Sequence, residues 1–173
     1  MSNDLTIPEK FGHNIRDLSD LLFDMCEDIS EQGCPGINLD MITIAVNIIK
    51  KYENVKILDK YIINTSEYWD QILVKDRSFF EDNVFVIFGD LPVDKSTLEN
   101  FKSIGKERDQ DGNLYVDDEY VEELWEYFHA LTKLSIKHLM NDEDEYNTLN
   151  FMSKSKKGVG IDLEKHKNSW QIV

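Results

Sequence analysis

The residues whose types and spacing best suit chemistry are four carboxylates in a loop ahead of a long predicted helix. They are Glu107, Asp109, Asp111 and Asp118. Carboxylate oxygens around a tight turn are the ligands that calcium and magnesium prefer, and Gly112 favours such a turn. One prediction is therefore a calcium or magnesium site at these four residues. The alternative is a plain Asp-Gly turn that leads into a short extended segment, residues 114–116.

The same loop resembles the calcium-binding loop of EF-hand proteins. Residues 107–118 read ERDQDGNLYVDD, and Asp111-Gly112 falls at the sharp turn of the pattern. Two ligand positions depart from it, because Glu107 replaces a short aspartate and Asp118 replaces a long, bidentate glutamate. EF-hand loops normally occur in pairs, and this sequence contains one. The resemblance therefore implies a single degenerate loop.

A second pattern that suits metal chemistry lies within the long predicted helix. Glu126 and His129 are three residues apart, so their side chains share one helix face, as in di-iron bundles. Those sites need a second such pair and two further glutamates, and the sequence has no second pair. The alternative is a half-buried, hydrogen-bonded histidine. No nucleophile elbow, phosphate-binding loop, dinucleotide fingerprint or zinc-protease pattern is present, so we predict no catalytic centre, with an enzyme built on scattered carboxylates as the remaining alternative.

Exposed aromatic and apolar residues indicate a surface for a partner. The residues of this predicted interface are Tyr120, Tyr127, Trp170, Ile172 and Val173. Val121, Leu124 and Phe128 can fill the core stripe of the long helix, so the two tyrosines are predicted to face outward. The alternative is that a broad apolar face buries both. The apolar C-terminal residues are predicted to dock on a partner or on a neighbouring subunit.

Charge restricts the class of partner. The 173 residues carry a net charge of −15, and it is unevenly distributed. Residues 153–173 contain five lysines against Asp162 and Glu164, a net +3 that leaves −18 on residues 1–152. An acidic body repels phosphate backbones and anionic membranes, so it argues against nucleic acid and membrane as ligands of the body. A protein partner, including another copy of the chain, is compatible.

The cysteines and apolar runs predict a soluble protein of a reducing compartment. Cys26 and Cys34 match no zinc pattern and are too few for a disulfide framework, so we expect two free thiols. The N-terminus lacks the basic and apolar regions of a signal peptide, and no apolar run is long enough to span a membrane. The expected location is the cytoplasm or another reducing interior, not the secreted space.

Helical spacing of apolar residues predicts an all-α fold, an irregular bundle of about six or seven helices. The first helix is predicted to begin near Asn14 and to end at Gln32-Gly33. Residues 39–52 are apolar on nearly all sides and predict a central, buried helix, which should form the centre of the core with residues 118–140. Residues 84–88 fit either a helix or a buried strand.

The composition divides the chain into a polar N-terminal arm (residues 1–12), a helical domain (13–152) and a flexible basic C-terminal tail (153–173). These patterns together favour a non-enzymatic protein, either an interaction module or a structural subunit of an assembly. A divalent-cation-binding protein is the first alternative, and an enzyme with a carboxylate-based site is the second.

Overall fold

A computed structural model of the chain describes residues 4–89, 95, 99 and 104–168. Within these residues the fold is all-α, and no strand is present apart from an isolated bridge between Arg108 and Leu114. The all-α prediction is therefore confirmed. The helices are α1 (Ile7–Glu31), α2 (Leu39–Lys51), α3 (Asn54–Thr65), α4 (Trp69–Leu73), α5 (Arg77–Asn83), α6 (Asp118–Asn141), α7 (Glu143–Lys157) and α8 (Leu163–His166). The 3-10 turns are Ser66–Tyr68, Val86–Phe88 and Ile104–Lys106.

The helix α1 is the centre of the bundle. It packs along α6 and also contacts α2 and α3. Its buried stripe consists of Phe11, Gly12, Ile15, Leu18, Ser19, Leu22, Met25, Cys26 and Ile29. This arrangement corrects the prediction that residues 39–52 lie at the centre. The helix α2 packs mainly on α1 and buries one stripe, whereas Ile44 is 47% exposed. Apolar composition alone does not reveal how many neighbours a helix has.

The start of α1 also differs from the prediction. Thr6 caps the helix, and the Glu9 carboxylate accepts hydrogen bonds from the Thr6 backbone N–H and hydroxyl at 2.8 Å. Pro8 lies in the first turn, where its missing N–H costs nothing. This capping box begins the helix at Ile7, so Asn14 lies inside it and residues 7–12 are helical. The arm was predicted from the polar composition of residues 1–12, but the hydrogen bonds of the capping box at Thr6 start the helix within that stretch.

Aromatic rings on α5 and α6 form another part of the core. Phe80 and Trp125 contact each other edge to face, with ring centroids 4.3 Å apart, and Phe79 packs against Phe128 at 5.4 Å. Asp117 caps α6, because its carboxylate accepts from the backbone N–H of Tyr120 at 3.0 Å. These contacts hold α6 in place, and α6 carries part of the candidate site.

Residues 84–88 form a turn followed by 3-10 helix, so the strand alternative is wrong for this segment. The helix α5 ends at Asn83, and the chain then turns before the 3-10 segment Val86–Phe88. Val84 and Ile87 are nevertheless buried, as either alternative required. None of the helices in the described ranges combines the length and apolarity needed to cross a membrane.

The C-terminal part of the described chain folds back onto the bundle. Ser153, where the tail was predicted to begin, is buried within α7, and its hydroxyl donates to the Val159 carbonyl at 2.8 Å. Ile161 is only 3% exposed, and its backbone N–H donates to the Asn150 side chain at 2.7 Å. His166 packs edge to face on Trp69 with centroids 5.7 Å apart. Side-chain hydrogen bonds thus help to hold this segment on the bundle, although it has few apolar residues from which packing could be predicted.

Candidate metal centre

Three side chains from three helices converge at one end of the bundle. Asp59 comes from α3, His138 from the last turn of α6, and Glu145 from the first turn of α7. A carboxylate oxygen or imidazole nitrogen of each lies within 4.8 Å of the others, and no other such trio of His, Cys, Asp or Glu occurs in the described residues. We call this group the DHE trio.

The helix packing explains why these side chains meet. On α3 the buried residues Leu58 and Ile62 face the core, which leaves Asp59 on the flank towards α7. The link between α6 and α7 is Asp142, which follows α6 and caps α7 by accepting from the Glu145 backbone N–H at 3.0 Å. This tight connection holds the end of α6 beside the start of α7. It thereby places His138 and Glu145 next to each other.

Burial and mutual repulsion shift the protonation of the DHE trio. Desolvation, followed by a hydrogen bond with Glu145 and repulsion from its charge, together raise the pKa of Asp59 to about 7. Burial lowers the pKa of His138, although the negative charges of Glu145 and Asp142 oppose that shift. Near neutral pH the histidine is therefore the uncharged base, and the Asp59 carboxyl still carries its proton in part of the molecules.

Two atoms of the DHE trio lack the partners that buried polar atoms normally have. Asp59 Oδ1 and His138 Nε2 are inaccessible to solvent and make no hydrogen bond. Leaving a buried donor or acceptor unpaired costs about 1–3 kcal/mol per group, and such groups are uncommon in native proteins. A bound cation would pair with these atoms and remove the repulsion between the two carboxylates.

The donor set favours one class of cation. Calcium and magnesium prefer all-oxygen sites, whereas imidazole suits zinc and its neighbours in the transition series. One histidine and two carboxylates are three ligands of the kinds that zinc accepts, and a fourth position would remain for water. The residues of the DHE trio therefore fit a zinc-class ion better than the calcium or magnesium expected from the sequence.

Comparison with known proteins provides no second source of information on this site. No protein family, curated protein or solved structure matches the chain. What the DHE trio does must therefore be inferred from its own chemistry.

The acidic loop predicted as a calcium or magnesium site forms a tight turn closed by its own backbone. Asp109 Oδ1 accepts from the backbone N–H groups of Asp111 and Asn113, both at 2.9 Å. Gly112 takes a positive φ of 83°, a conformation that glycine adopts without steric cost. The Arg108 guanidinium donates to the Gly112 carbonyl at 2.7 Å. The turn alternative thus describes the geometry of this loop.

The four predicted ligands do not converge. Asp118 is fully exposed and lies 3.6 Å from the Arg77 guanidinium, and the Glu107 backbone carbonyl accepts from Tyr115 N–H at 3.1 Å. No three carboxylates of the set Glu107, Asp109, Asp111 and Asp118 lie within 4.8 Å of one another. Calcium or magnesium binding at this loop stays a prediction.

Within the described part of the chain, no further His, Cys, Asp or Glu side chain joins the Glu-x-x-His pattern to form a trio of ligands. His129 Nε2 donates to the Ile72 carbonyl at 2.9 Å, and its ring packs against Trp125. Burial lowers the pKa of His129. Glu126 lines a shallow groove with Tyr127 on the outer side of α6. His129 therefore matches the alternative of a half-buried, hydrogen-bonded histidine.

The predicted interface residues fall in two places. Tyr120 is half-buried against α1, where its hydroxyl donates to the Asp28 carboxylate. Tyr127 is also half-buried, and desolvation followed by the negative charge of Asp17 raises its pKa. Trp170, Ile172 and Val173 lie outside the described residues. An interface role for these five residues stays a prediction.

Sequence reasoning missed the DHE trio because its members are far apart in the chain. Asp59 lies far from His138 in the sequence, and no local pattern connects them. The one available signal was the spacing of His138 and Glu145 across a predicted helix end, with Asp142 able to cap the next helix. That signal concerns two ligands, and the third depends on tertiary packing.

Proposed function

We propose that this protein binds a zinc-class divalent cation through Asp59, His138 and Glu145. The observation that carries the proposal is the convergence of three ligand atoms within 4.8 Å, together with two buried atoms that have no hydrogen-bond partner. A histidine that is uncharged at neutral pH is ready to coordinate, and the Asp59 proton is one that a cation can displace.

The bound ion would act as a structural staple. The three ligands belong to three helices, so coordination would tie α7 to α3 and to the end of α6. The helix α7 in turn holds the returning chain, since the Tyr146 hydroxyl donates to the Ile161 carbonyl at 2.9 Å. Metal binding that requires a folded site adds its free energy to the stability of the fold. The C-terminal part of the described chain would gain most.

Isothermal titration calorimetry of the metal-free protein with zinc tests this proposal. We expect one zinc ion per chain in the wild type. His138→Gln and Glu145→Gln should each weaken binding at least tenfold, because each removes one of three protein ligands. The matched controls are His13→Gln and Glu143→Gln, which change exposed residues of the same types outside the DHE trio.

The proposal fails if wild-type protein binds no zinc, or if the control substitutions weaken binding as much as those in the DHE trio. Circular dichroism of each variant separates a lost ligand from a lost fold. Replacement of zinc by magnesium in the same titration should give much weaker binding, because magnesium disfavours imidazole.

A second candidate function is protein interaction, including association of the chain with itself. The specific observation in its favour is an exposed apolar pair on α7, with Phe151 71% exposed and Met152 37% exposed. Large exposed apolar side chains are frequent in interfaces. Light scattering after size exclusion tests self-association. A mass that rises with concentration in the wild type and stays at one chain in Phe151→Ser would support it, and a strictly monomeric wild type would argue against it.

A further inference from the structure

A cavity separate from the DHE trio lies between the end of α3, the end of α5 and the end of α7. Its volume is about 470 Å³, which is in the range of small-molecule sites. The described residues that line it are Asn64, Tyr68, Asp82, Asn83, Phe85, Val86, Gly89, Lys95, Glu99 and Lys157. The lining combines apolar walls with several hydrogen-bond donors.

The donor at the bottom of the cavity is the side-chain amide of Asn64. This residue is 4% exposed, and its Nδ2 makes no hydrogen bond with any residue that the structure describes. It faces Gly89, where an added Cβ would lie 3.9 Å from Nδ2. A buried N–H group without an acceptor is costly, and here it borders an open volume. The amide is therefore positioned to donate to whatever occupies the cavity.

A positive charge is held beside this amide. Lys157 Nζ donates to the Asn64 backbone carbonyl at 3.0 Å and to Glu67 Oε1 at 2.9 Å. An ammonium has three protons, so one remains after these two bonds. Lys95 adds a second ammonium at the exposed edge.

Two acidic residues, Asp82 and Glu99, also line the cavity. Asp82 forms a salt bridge with Lys106, which turns that carboxylate into one half of an ion pair. Glu99 is exposed at the rim. Asn83 adds one more polar side chain, and the apolar part of the lining consists of the buried Phe85, Val86 and the half-buried Tyr68. The cavity thus has a donor-rich end and an apolar body.

We propose that this cavity binds a small aromatic carboxylate. The carboxylate would accept from Asn64 Nδ2 and from the remaining proton of Lys157, and the ring would lie against Phe85, Val86 and Tyr68. A charge-assisted hydrogen bond supplies the anchor, and burial of the ring supplies the apolar contribution. The site shares no residue with the DHE trio, so occupancy does not require metal.

Fluorine NMR with 4-fluorobenzoate as the probe tests this site on the full chain. We expect saturable binding to the wild type. Lys157→Met, which keeps most of the unbranched side chain and removes its charge, should lose affinity by about tenfold or more. Asn64→Leu, which keeps a similar volume and removes the donor, should lose a comparable factor. The matched control is Lys154→Met, an exposed lysine on the same helix.

A neutral probe of the same shape, 4-fluorotoluene, separates the anchor from the apolar contribution. It should bind at least tenfold more weakly than the carboxylate. Equal binding of the two probes, unchanged affinity in both Lys157→Met and Asn64→Leu, or no saturable binding to the wild type would overturn the proposal. Each variant is checked by its amide NMR spectrum for an intact fold. The affinity for 4-fluorobenzoate should be the same in His138→Gln as in the wild type. The test of this cavity is therefore independent of whether the DHE trio binds zinc.

Discussion

The acidic loop at residues 107–118 and the DHE trio are opposite kinds of candidate site. The loop gathers its carboxylates in one short stretch, yet Asp109 already accepts two backbone N–H bonds at 2.9 Å. The DHE trio draws its ligands from three helices, yet Asp59 Oδ1 and His138 Nε2 have no hydrogen-bond partner among the described residues. Carboxylates that are dense in this sequence thus already have backbone partners, whereas the unpaired ligand atoms lie where separate helices meet.

The physical reason for this difference lies in competition for the carboxylate oxygens. In a tight turn the backbone N–H groups lie close to an aspartate side chain and bond to it first. Between packed helices the backbone donors are already used within each helix. A carboxylate such as that of Asp59 then meets only other side chains, and a cation can become its partner.

The largest expected effect that separates the two regions is stabilisation by zinc. At free zinc about a thousandfold above the dissociation constant, the free energy of unfolding of the wild type should rise by about 4 kcal/mol. Thermal unfolding with and without zinc measures this shift. His138→Gln should lose most of it, whereas Asp109→Asn in the loop should keep it, because the asparagine oxygen still closes the turn. A larger loss in Asp109→Asn than in His138→Gln would assign the metal to the loop.

The next effect is the pH dependence of zinc binding. Desolvation, together with Glu145, raises the pKa of Asp59 to about 7, and the carboxyl must lose its proton before it can coordinate. The proton therefore competes with zinc below about pH 7, and the affinity should fall about tenfold per pH unit there. Calorimetry at several pH values between about 5.5 and 7.5 measures this slope. An affinity that is flat over this range would show that Asp59 is not a ligand.

The raised pKa of Asp59 also makes the stability of the metal-free protein depend on pH. The pKa of Asp59 is raised above that of an unfolded aspartate, about 3.9, so its contribution to stability is complete below about pH 4 and is lost as the pH rises through 7. The lowered pKa of His138 acts in the opposite direction, with stability lost as the pH falls below about 6.5. Comparison of the wild type with Asp59→Asn isolates the first contribution.

The smallest effect concerns the loop. Asp109→Ala removes the acceptor of two backbone N–H groups, so the free energy of unfolding should fall by about 1–2 kcal/mol. Asp111→Ala, which changes an exposed carboxylate in the same turn, should cost less than about 0.5 kcal/mol. Chemical denaturation measures both. Zinc affinity should be the same in the two variants, and a fall in affinity in either would show that the zinc binds at the loop and not at the DHE trio.

Local features of this fold were predictable from the sequence. An asparagine or aspartate just ahead of an apolar helical stretch indicates a cap, and Asn38, Asp76 and Asp117 each accept a backbone N–H bond at the start of such a helix. The end of α1 before Gly33 was likewise correct. Each of these depends on residues within one turn of the chain. The start of α1 was missed because the capping box at Thr6 lies in a stretch judged by its overall polarity.

Features set by tertiary packing were not predictable. The central position of α1 over α2 depends on how many neighbours each helix has, and apolar content does not specify that. Ile44 illustrates the point, since an isoleucine on an otherwise suitable helix remains 47% exposed. The DHE trio and the donor-rich cavity depend on the same information. Both come from helices that meet only after the bundle has formed.

Anomalous diffraction at the zinc absorption edge, from crystals grown with zinc, tests the central claim most directly. It locates the ion without reference to any variant. We expect one anomalous peak per chain, bounded by Asp59, His138 and Glu145. A peak in the loop at residues 107–118, or the absence of any peak at the DHE trio in zinc-saturated crystals, would contradict the account.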